Sequence, residues 1–214
     1  LNTKESLEKI KYLSKHSTAD TTLLAGIELG QPMQNLNAAG DVLNNGDYDF
    51  VLASVHNIKD FEDFYYLDYS NMDPAYIDDL LLSYFNEMLD MVKWGNFDSL
   101  AHITYPLRYI EGDSNIKVNL SKHMPLIEEI YLLIIKSNKA IEINTSGLRQ
   151  KIGKTLPDKN LLSLYYKMGG KHVTVGSDVH NVNDLSKGIN EGLGILQAIG
   201  FNQYTVFIKH EPVC

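Results

Sequence analysis

The sequence predicts a parallel α/β protein, open or barrel-like. Three observations predict it. Apolar runs of strand length alternate with helical stretches along the whole chain. Several of these runs are apolar at nearly every position, as in strands covered on both faces. The connections are too short to join anything but neighbouring units, and no internal repeat or domain linker interrupts them.

Residues 3–15 read as a helix with Leu7, Ile10 and Leu13 on one face. Leu23 to Leu29 is the first apolar strand, with Glu28 near its end. A helical stretch runs from Pro32, a good first-turn residue, to about Leu43, where Asn44-Asn45-Gly46 stops it. Phe50 to His56 is the second strand. Residues 57–73 form a loop rich in acids and aromatics. Asp73-Pro74 reads as the cap and first residue of the clearest helix. Ile77, Leu80, Leu81, Tyr84, Phe85 and Met88 recur in it at helical spacing, and it ends at Trp94-Gly95. Asp98 to Ile103 is the third strand, residues 119–137 the next helix, and Ala140 to Asn144 the fourth strand. Asp158 caps a helix that ends at Gly169-Gly170, and His172 to Ser177 is the fifth strand. Asp184 opens a helix to about Ile199, and Tyr204 to Ile208 is the sixth strand.

Composition narrows the function. The 214 residues are 44% hydrophobic and 21% charged, ordinary values for a globular chain long enough to bury a sizeable core. A formal net charge of −8 disfavours nucleic acid and anionic membrane surfaces as partners. No apolar run approaches the roughly 20 residues of a membrane span, and the charged, amphipathic start is no signal peptide. The single cysteine, Cys214, rules out an internal disulfide and fits a reducing, cytoplasmic setting.

Chemistry gathers at the strand ends. Glu28, His56, His102 and the pair Asp178/His180 each close a predicted strand. If strand geometry continues through Thr174-Val-Gly-Ser-Asp-Val-His180, a period of two puts Asp178 and His180 on the same side. In a parallel barrel all C-terminal strand ends share one face, where active sites are built. One histidine at a strand end is more often a hydrogen-bonded structural residue, but several strand ends carrying ligands together argue for a metal site. His16, His123, His172 and His210 lie off this pattern and read as surface or structural residues. Imidazole and carboxylate without thiolate suit zinc, iron or manganese. Clustered ions would lower the pKa of bound water and clamp a phosphate during in-line attack. Arg108 and Arg149 follow strand ends and offer bidentate forks for phosphate, although either could equally form a surface salt bridge. Asn144 and Ser146 could hydrogen-bond a substrate, or simply serve the turn through Gly147. The 57–73 loop could cover the mouth and meet a cationic or aromatic substrate, or be a solvated loop packed on its own rings.

Five stretches together resemble the ordered motifs of the polymerase-and-histidinol-phosphatase (PHP) superfamily: Gly26-Ile-Glu-Leu-Gly30, Ala53-Ser-Val-His56, Ala101-His102, Glu142-Ile-Asn-Thr-Ser-Gly-Leu-Arg149 and Gly176-Ser-Asp-Val-His180. The resemblance runs from about Leu7 to Phe207 and is strongest to the PHP-type histidinol phosphatases. It implies a distorted (β/α)7, TIM-like barrel with up to three divalent ions (zinc, iron or manganese) at its C-terminal face. Glu28 would bridge two ions, His56 would bind the second, Asp178 the first, and His102 and His180 the third. Arg108 and Arg149 match positions suited to the phosphate. The implied reaction is hydrolysis of histidinol phosphate, a small phosphorylated substrate, in histidine biosynthesis. No side chain is assigned as the general base; the expected nucleophile is metal-activated water. The alternatives are a PHP phosphoesterase acting on another metabolite or on phosphotyrosine, and a non-catalytic PHP binding module. The family's opening strand with His-X-His has no counterpart here, and the first strand of this chain matches the family's third. The expectation is therefore a single PHP domain over residues 1–214, lacking its first strand or strands and of reduced activity as written. Oligomeric state is not legible.

Overall fold

Five strands form one parallel sheet in the order in which they occur in the chain. The computed structural model describes residues 3–16 and 21–214. Helix α1 (Thr3–His16) precedes β1 (Gly26–Gly30). A 3-10 turn (Pro32–Gln34) and α2 (Leu36–Asn45) lead to β2 (Phe50–Ser54). Then come α3 (Pro74–Trp94), β3 (Ser99–Leu100), a π-helical segment (Arg108–Asp113), α4 (Met124–Lys136) and β4 (Ala140–Asn144). Helix α5 (Lys159–Lys167), β5 (Val173–Gly176) and α6 (Ile189–Ile199) complete the alternation, and β6 (Val206–Ile208) and β7 (Glu211–Val213) end the chain.

The predicted α/β class holds, and the sheet bends as part of a barrel. Strands β3 and β5 are not neighbours, yet Ser99 Oγ and Thr174 Oγ1 lie 2.8 Å apart across the interior. Glu28 on β1 likewise reaches His102, just beyond β3. Inward side chains of alternate strands meet in this way only when a sheet curls. Between the edges β1 and β5 lies a cavity of about 300 Å³, lined by Leu24, Gly26, Thr174, Val175 and residues of α6 and β6.

The sequence dictates several boundaries. Asp73 accepts a hydrogen bond from Ala75 N and Pro74 takes the first turn of α3; Gly95, at φ +76°, ends it. A side chain at Gly95 would be strained in that left-handed conformation. Ile77, Leu81, Phe85 and Met88 bury one face of α3. The helix predicted from Pro32 is two pieces, because Asn35 leaves helical geometry and accepts from Ala38 N as the cap of α2. The last helix starts at Ile189 rather than Asp184, since Ser186 and Gly188 both take positive φ.

The predicted sixth strand is corrected. Residues 206–208 do not join the parallel sheet; they pair antiparallel with β7. The hairpin crosses the N-terminal ends of the strands. Thr205 N donates to Val173 O, His210 N donates to Asp49 O, and His210 Nδ1 lies 2.9 Å from Asp98 Oδ2. Phe207 stacks on Phe50. This end of the sheet is thereby covered, and the opposite, C-terminal end carries the polar chemistry. Among the described residues, no helix is long and apolar enough to cross a membrane.

Candidate metal and phosphate site

Three of the predicted ligands meet. Glu28 Oε1 lies 3.2 Å from His56 Nε2 and 3.4 Å from His102 Nε2, and the two imidazole nitrogens are 3.3 Å apart. Glu28 points inward from β1, while His56 and His102 stand just past the ends of β2 and β3. Burial alone would raise the pKa of Glu28, but hydrogen bonds and charge from His102 and His56 outweigh it and hold the carboxyl well below the usual carboxylate range. Among the described residues, His102 Nδ1 is buried without a hydrogen-bond partner. Two nitrogens and one carboxylate oxygen, mutually within 4.8 Å, are a donor set that fits a divalent cation.

Asp178 lines the same interior cavity of about 240 Å³ as Glu28, His102, Glu142 and Asn144. It is held there by Arg108, whose Nη2 donates to Asp178 Oδ2 at 3.2 Å and to Ser146 Oγ at 2.9 Å. The Arg108 guanidinium also sits 5.1 Å from the centroid of the Tyr105 ring. Its Nε is buried with no hydrogen-bond partner among the described residues. A buried guanidinium with an unmet donor is suited to an anion.

His180 is not with the others. The strand ends at Gly176, and Asp178 takes φ +49°, so the period of two that aligned Asp178 with His180 is broken. The His180 side chain is 87% exposed, with Nδ1 3.6 Å from Asp178 Oδ1. Arg149 is also exposed, and its guanidinium donates to the carbonyls of Ser177, Asp178 and Lys187, bracing the loop after β5. Asn144 and Ser146 are buried beneath the site and spend their hydrogen bonds on Glu142, Arg108 and each other. Of the four off-pattern histidines, His210 and His172 make structural contacts away from the cluster, His16 caps its own helix, and His123 is buried between α3 and α4.

Two features escaped the sequence reading. One is Glu142, 4% exposed on β4, whose carboxyl is pushed up by burial, partly offset by His102 and Asn144. A charged residue inside the otherwise uncharged run Ala140-Ile-Glu-Ile-Asn144 was the available signal. The other is a relay into the 57–73 loop. Tyr109 Oη donates to Tyr105 Oη, which donates to Asp63 Oδ1 at 2.8 Å. The Tyr105 ring lies 4.7 Å from His56 and 5.1 Å from His102, centroid to centroid, so Asp63 stands one tyrosine's length from the cluster. Tyr65, 61% exposed, packs edge-on against Tyr109, and Tyr66, 71% exposed, packs on Tyr65. The loop thus packs partly on its own rings and also presents a carboxylate and open aromatic faces beside the cluster.

Residues 4–146 match the PHP domain family. A Thermotoga maritima protein named as a probable histidinol-phosphatase is 32% identical over 170 residues, 79% of this chain and 64% of that protein's length. A histidinol-phosphatase of Lactococcus lactis is 27% identical over 97% of this chain and 76% of its own. The chain thus spans under two thirds of the first relative and about three quarters of the second. Among solved structures, a histidinol phosphate phosphatase of Lactococcus lactis, crystallised with zinc, L-histidinol and phosphate, superposes with a TM-score of 0.80 at 22% identity. That match covers 100% of this chain and 80% of that one.

Proposed function

The chain belongs to the PHP domain family, and from that premise we propose that it is a metal-dependent phosphomonoester hydrolase of the histidinol-phosphatase type. The observation that carries this reading is the convergence of Glu28, His56 and His102 on one another, beside a cavity that Glu28, His102 and Asp178 line, with Arg108 holding Asp178 from the side. We assign Glu28, His56 and His102 to one divalent ion and Asp178 to the same cluster. His180, turned outward here, would join it by a rotation of the loop after β5. Zinc is the first choice, supported by the donor set and by the zinc in the Lactococcus lactis neighbour, and the family resemblance implies up to three ions.

When bound, the ions supply Lewis-acid polarisation of the phosphoryl oxygens and a water of lowered pKa. The protein's own part is positioning. Arg108, fixed by Ser146 and Asp178 and stacked near Tyr105, presents a preorganised guanidinium to the phosphate, and Arg149 stands at the rim. Asn144 and Ser146 act from below, through Arg108. Water's oxygen bonds to phosphorus, the ester P–O bond breaks, and a proton ends on the hydroxyl of the released alcohol. Asp63, Tyr65 and Tyr66 suit an organic portion that is cationic and aromatic, as in histidinol phosphate, better than a purely anionic one. A single-domain, cytoplasmic enzyme without nucleic-acid or membrane partners is part of the same proposal.

The test is phosphate release from histidinol phosphate, p-nitrophenyl phosphate and phosphotyrosine by the zinc-loaded protein. Histidinol phosphate should be turned over fastest. A chelator should abolish the activity and added zinc restore it. Metal-independent turnover, or none with any ester, would sink the assignment; preference for another ester would remove the substrate.

A further inference from the structure

The sheet opens where the site begins. Strands β3 and β4 pair only at Ser99–Ala140 and Leu100–Ile141, and no ladder bond joins them beyond. The next free amide, His102 N, donates instead to the side chain of Glu142, at Oε2 and 3.0 Å. A buried carboxylate therefore replaces the missing main-chain acceptor and keeps the strands apart at the height of the cluster.

The same oxygen ends a chain of hydrogen bonds with one polarity. Asn144 Nδ2 donates to Glu142 Oε2 at 3.2 Å. Ser146 Oγ donates to Asn144 Oδ1 at 2.6 Å, and Arg108 Nη2 donates to Ser146 Oγ at 2.9 Å. Main-chain donors at both ends dictate the direction. His102 N–H points at Glu142, and Ser146 N–H points at Asn144 Oδ1, so the Asn144 amide can face only one way. The Ser146 hydroxyl proton is then committed to Asn144, and its free lone pair faces Arg108.

We propose that Glu142 is a positioning residue that sets two parts of the site at once: the metal-binding His102, through its main chain, and the phosphate-binding Arg108, through Asn144 and Ser146. The proposal rests on the metal and phosphate reading above. It makes Glu142 neither an ion ligand nor a proton carrier; its task is to be a fixed acceptor. Both bonds go to a single oxygen, so a neutral amide oxygen in its place does the same work.

The experiment compares Glu142→Gln, Glu142→Leu and Ser146→Ala, each confirmed as folded by circular dichroism. Zinc binding to the apo-protein and inorganic phosphate binding to the zinc form are measured by calorimetry. Glu142→Leu should weaken zinc binding about ten- to a hundredfold and weaken phosphate as well. Glu142→Gln should rescue both. Ser146→Ala cuts the chain above Asn144, so it should weaken phosphate about two- to tenfold and leave zinc unchanged. A folded Glu142→Leu with normal zinc and phosphate affinities overturns the proposal. So does a Glu142→Gln as poor as Glu142→Leu, or a Ser146→Ala without effect on phosphate. If Glu142→Leu does not fold, the Gln and Ser146 variants decide alone. If the wild-type protein binds neither zinc nor phosphate, the reading of the site itself fails, and the proposal with it.

Discussion

Replacing Gly176 by alanine tests the packing beneath the site directly. Gly176 does not take a positive φ, so an alanine there carries no backbone penalty, and its effect is one of space. The added Cβ would land on Glu142 Oε1 and sit 2.8 Å from Cδ, where carbon–carbon contacts ordinarily settle at about 3.5–4.0 Å. The carboxylate has little room to retreat, because its other oxygen is bound to His102 N and Asn144 Nδ2. Overpacking of this kind costs about 1–3 kcal/mol, and each hydrogen bond to a charged group given up costs about 1.5–3 kcal/mol. With one bond lost, Gly176→Ala should destabilise the fold by about 2.5–6 kcal/mol. At about 2–4 °C per kcal/mol for a chain of this size, Tm should fall by about 5–24 °C. Combining it with Glu142→Ala removes the atoms in the way, so the double variant should be less destabilised than the two single changes predict together, by at least about 1 kcal/mol. Urea unfolding of the four proteins measures this. A Gly176→Ala protein within about 0.5 kcal/mol of wild type, or a strictly additive double variant, would refute the geometry from which the argument starts.

Arg108→Ala should lower kcat/KM for phosphomonoesters about ten- to a hundredfold, whereas exposed Arg149→Ala should cost less; equal losses, or none at Arg108, would move the phosphate elsewhere. His123 is buried with neither ring nitrogen hydrogen-bonded among the described residues, Asp78 lying 3.9 Å from Nε2, and burial lowers its pKa below the usual 6.5, with Asp78 pulling the other way. The unfolded chain then binds the proton more readily, so stability is lost as pH falls below about 6.5. His123→Phe, packed on Phe85, should therefore gain more stability at pH 5 than at pH 8 in urea melts; the same gain at both would argue against it. Asp63→Asn should reduce turnover of histidinol phosphate about tenfold while sparing p-nitrophenyl phosphate, and a parallel drop in both would make Asp63 a structural residue only.

Much of this arrangement was legible in the residues themselves. Apolar runs such as Phe50–Ser54 and Ala140–Asn144 have few alternatives to buried parallel strands, and the strand order follows from short connections. Glu28, His56 and His102 were legible because a parallel sheet delivers all its strand ends to one side. His180 was not, because its placement depends on a single backbone dihedral at Asp178 that no side-chain pattern announces. Tyr204 to Ile208 reads as another parallel strand because a short, largely apolar run has the same pattern in a hairpin, and only the tight turn at Lys209-His210, both at positive φ, tells them apart. Glu142 is visible as part of the Glu142–Arg149 motif, but its bond to His102 N depends on where β3 and β4 stop pairing, which the residues do not announce.

The charges around the cavity bear on why this site would need metal to hold a phosphate. Glu28 and Asp178 line it, and Asp63 stands one side chain away. Against these carboxylates stands the buried guanidinium of Arg108, behind Asp178 and already shared with it, while Arg149 is committed to main-chain carbonyls. A phosphate dianion entering alone would meet net repulsion at short range, in surroundings where Coulomb interactions are several times stronger than in water. Divalent ions held by Glu28, His56 and His102, as proposed, would reverse the sign of that field. If the proposed residues hold the ions, electrostatics would order the binding: phosphate affinity should be negligible without metal and should rise with metal occupancy, because the carboxylates that repel the anion would first concentrate the cations that attract it.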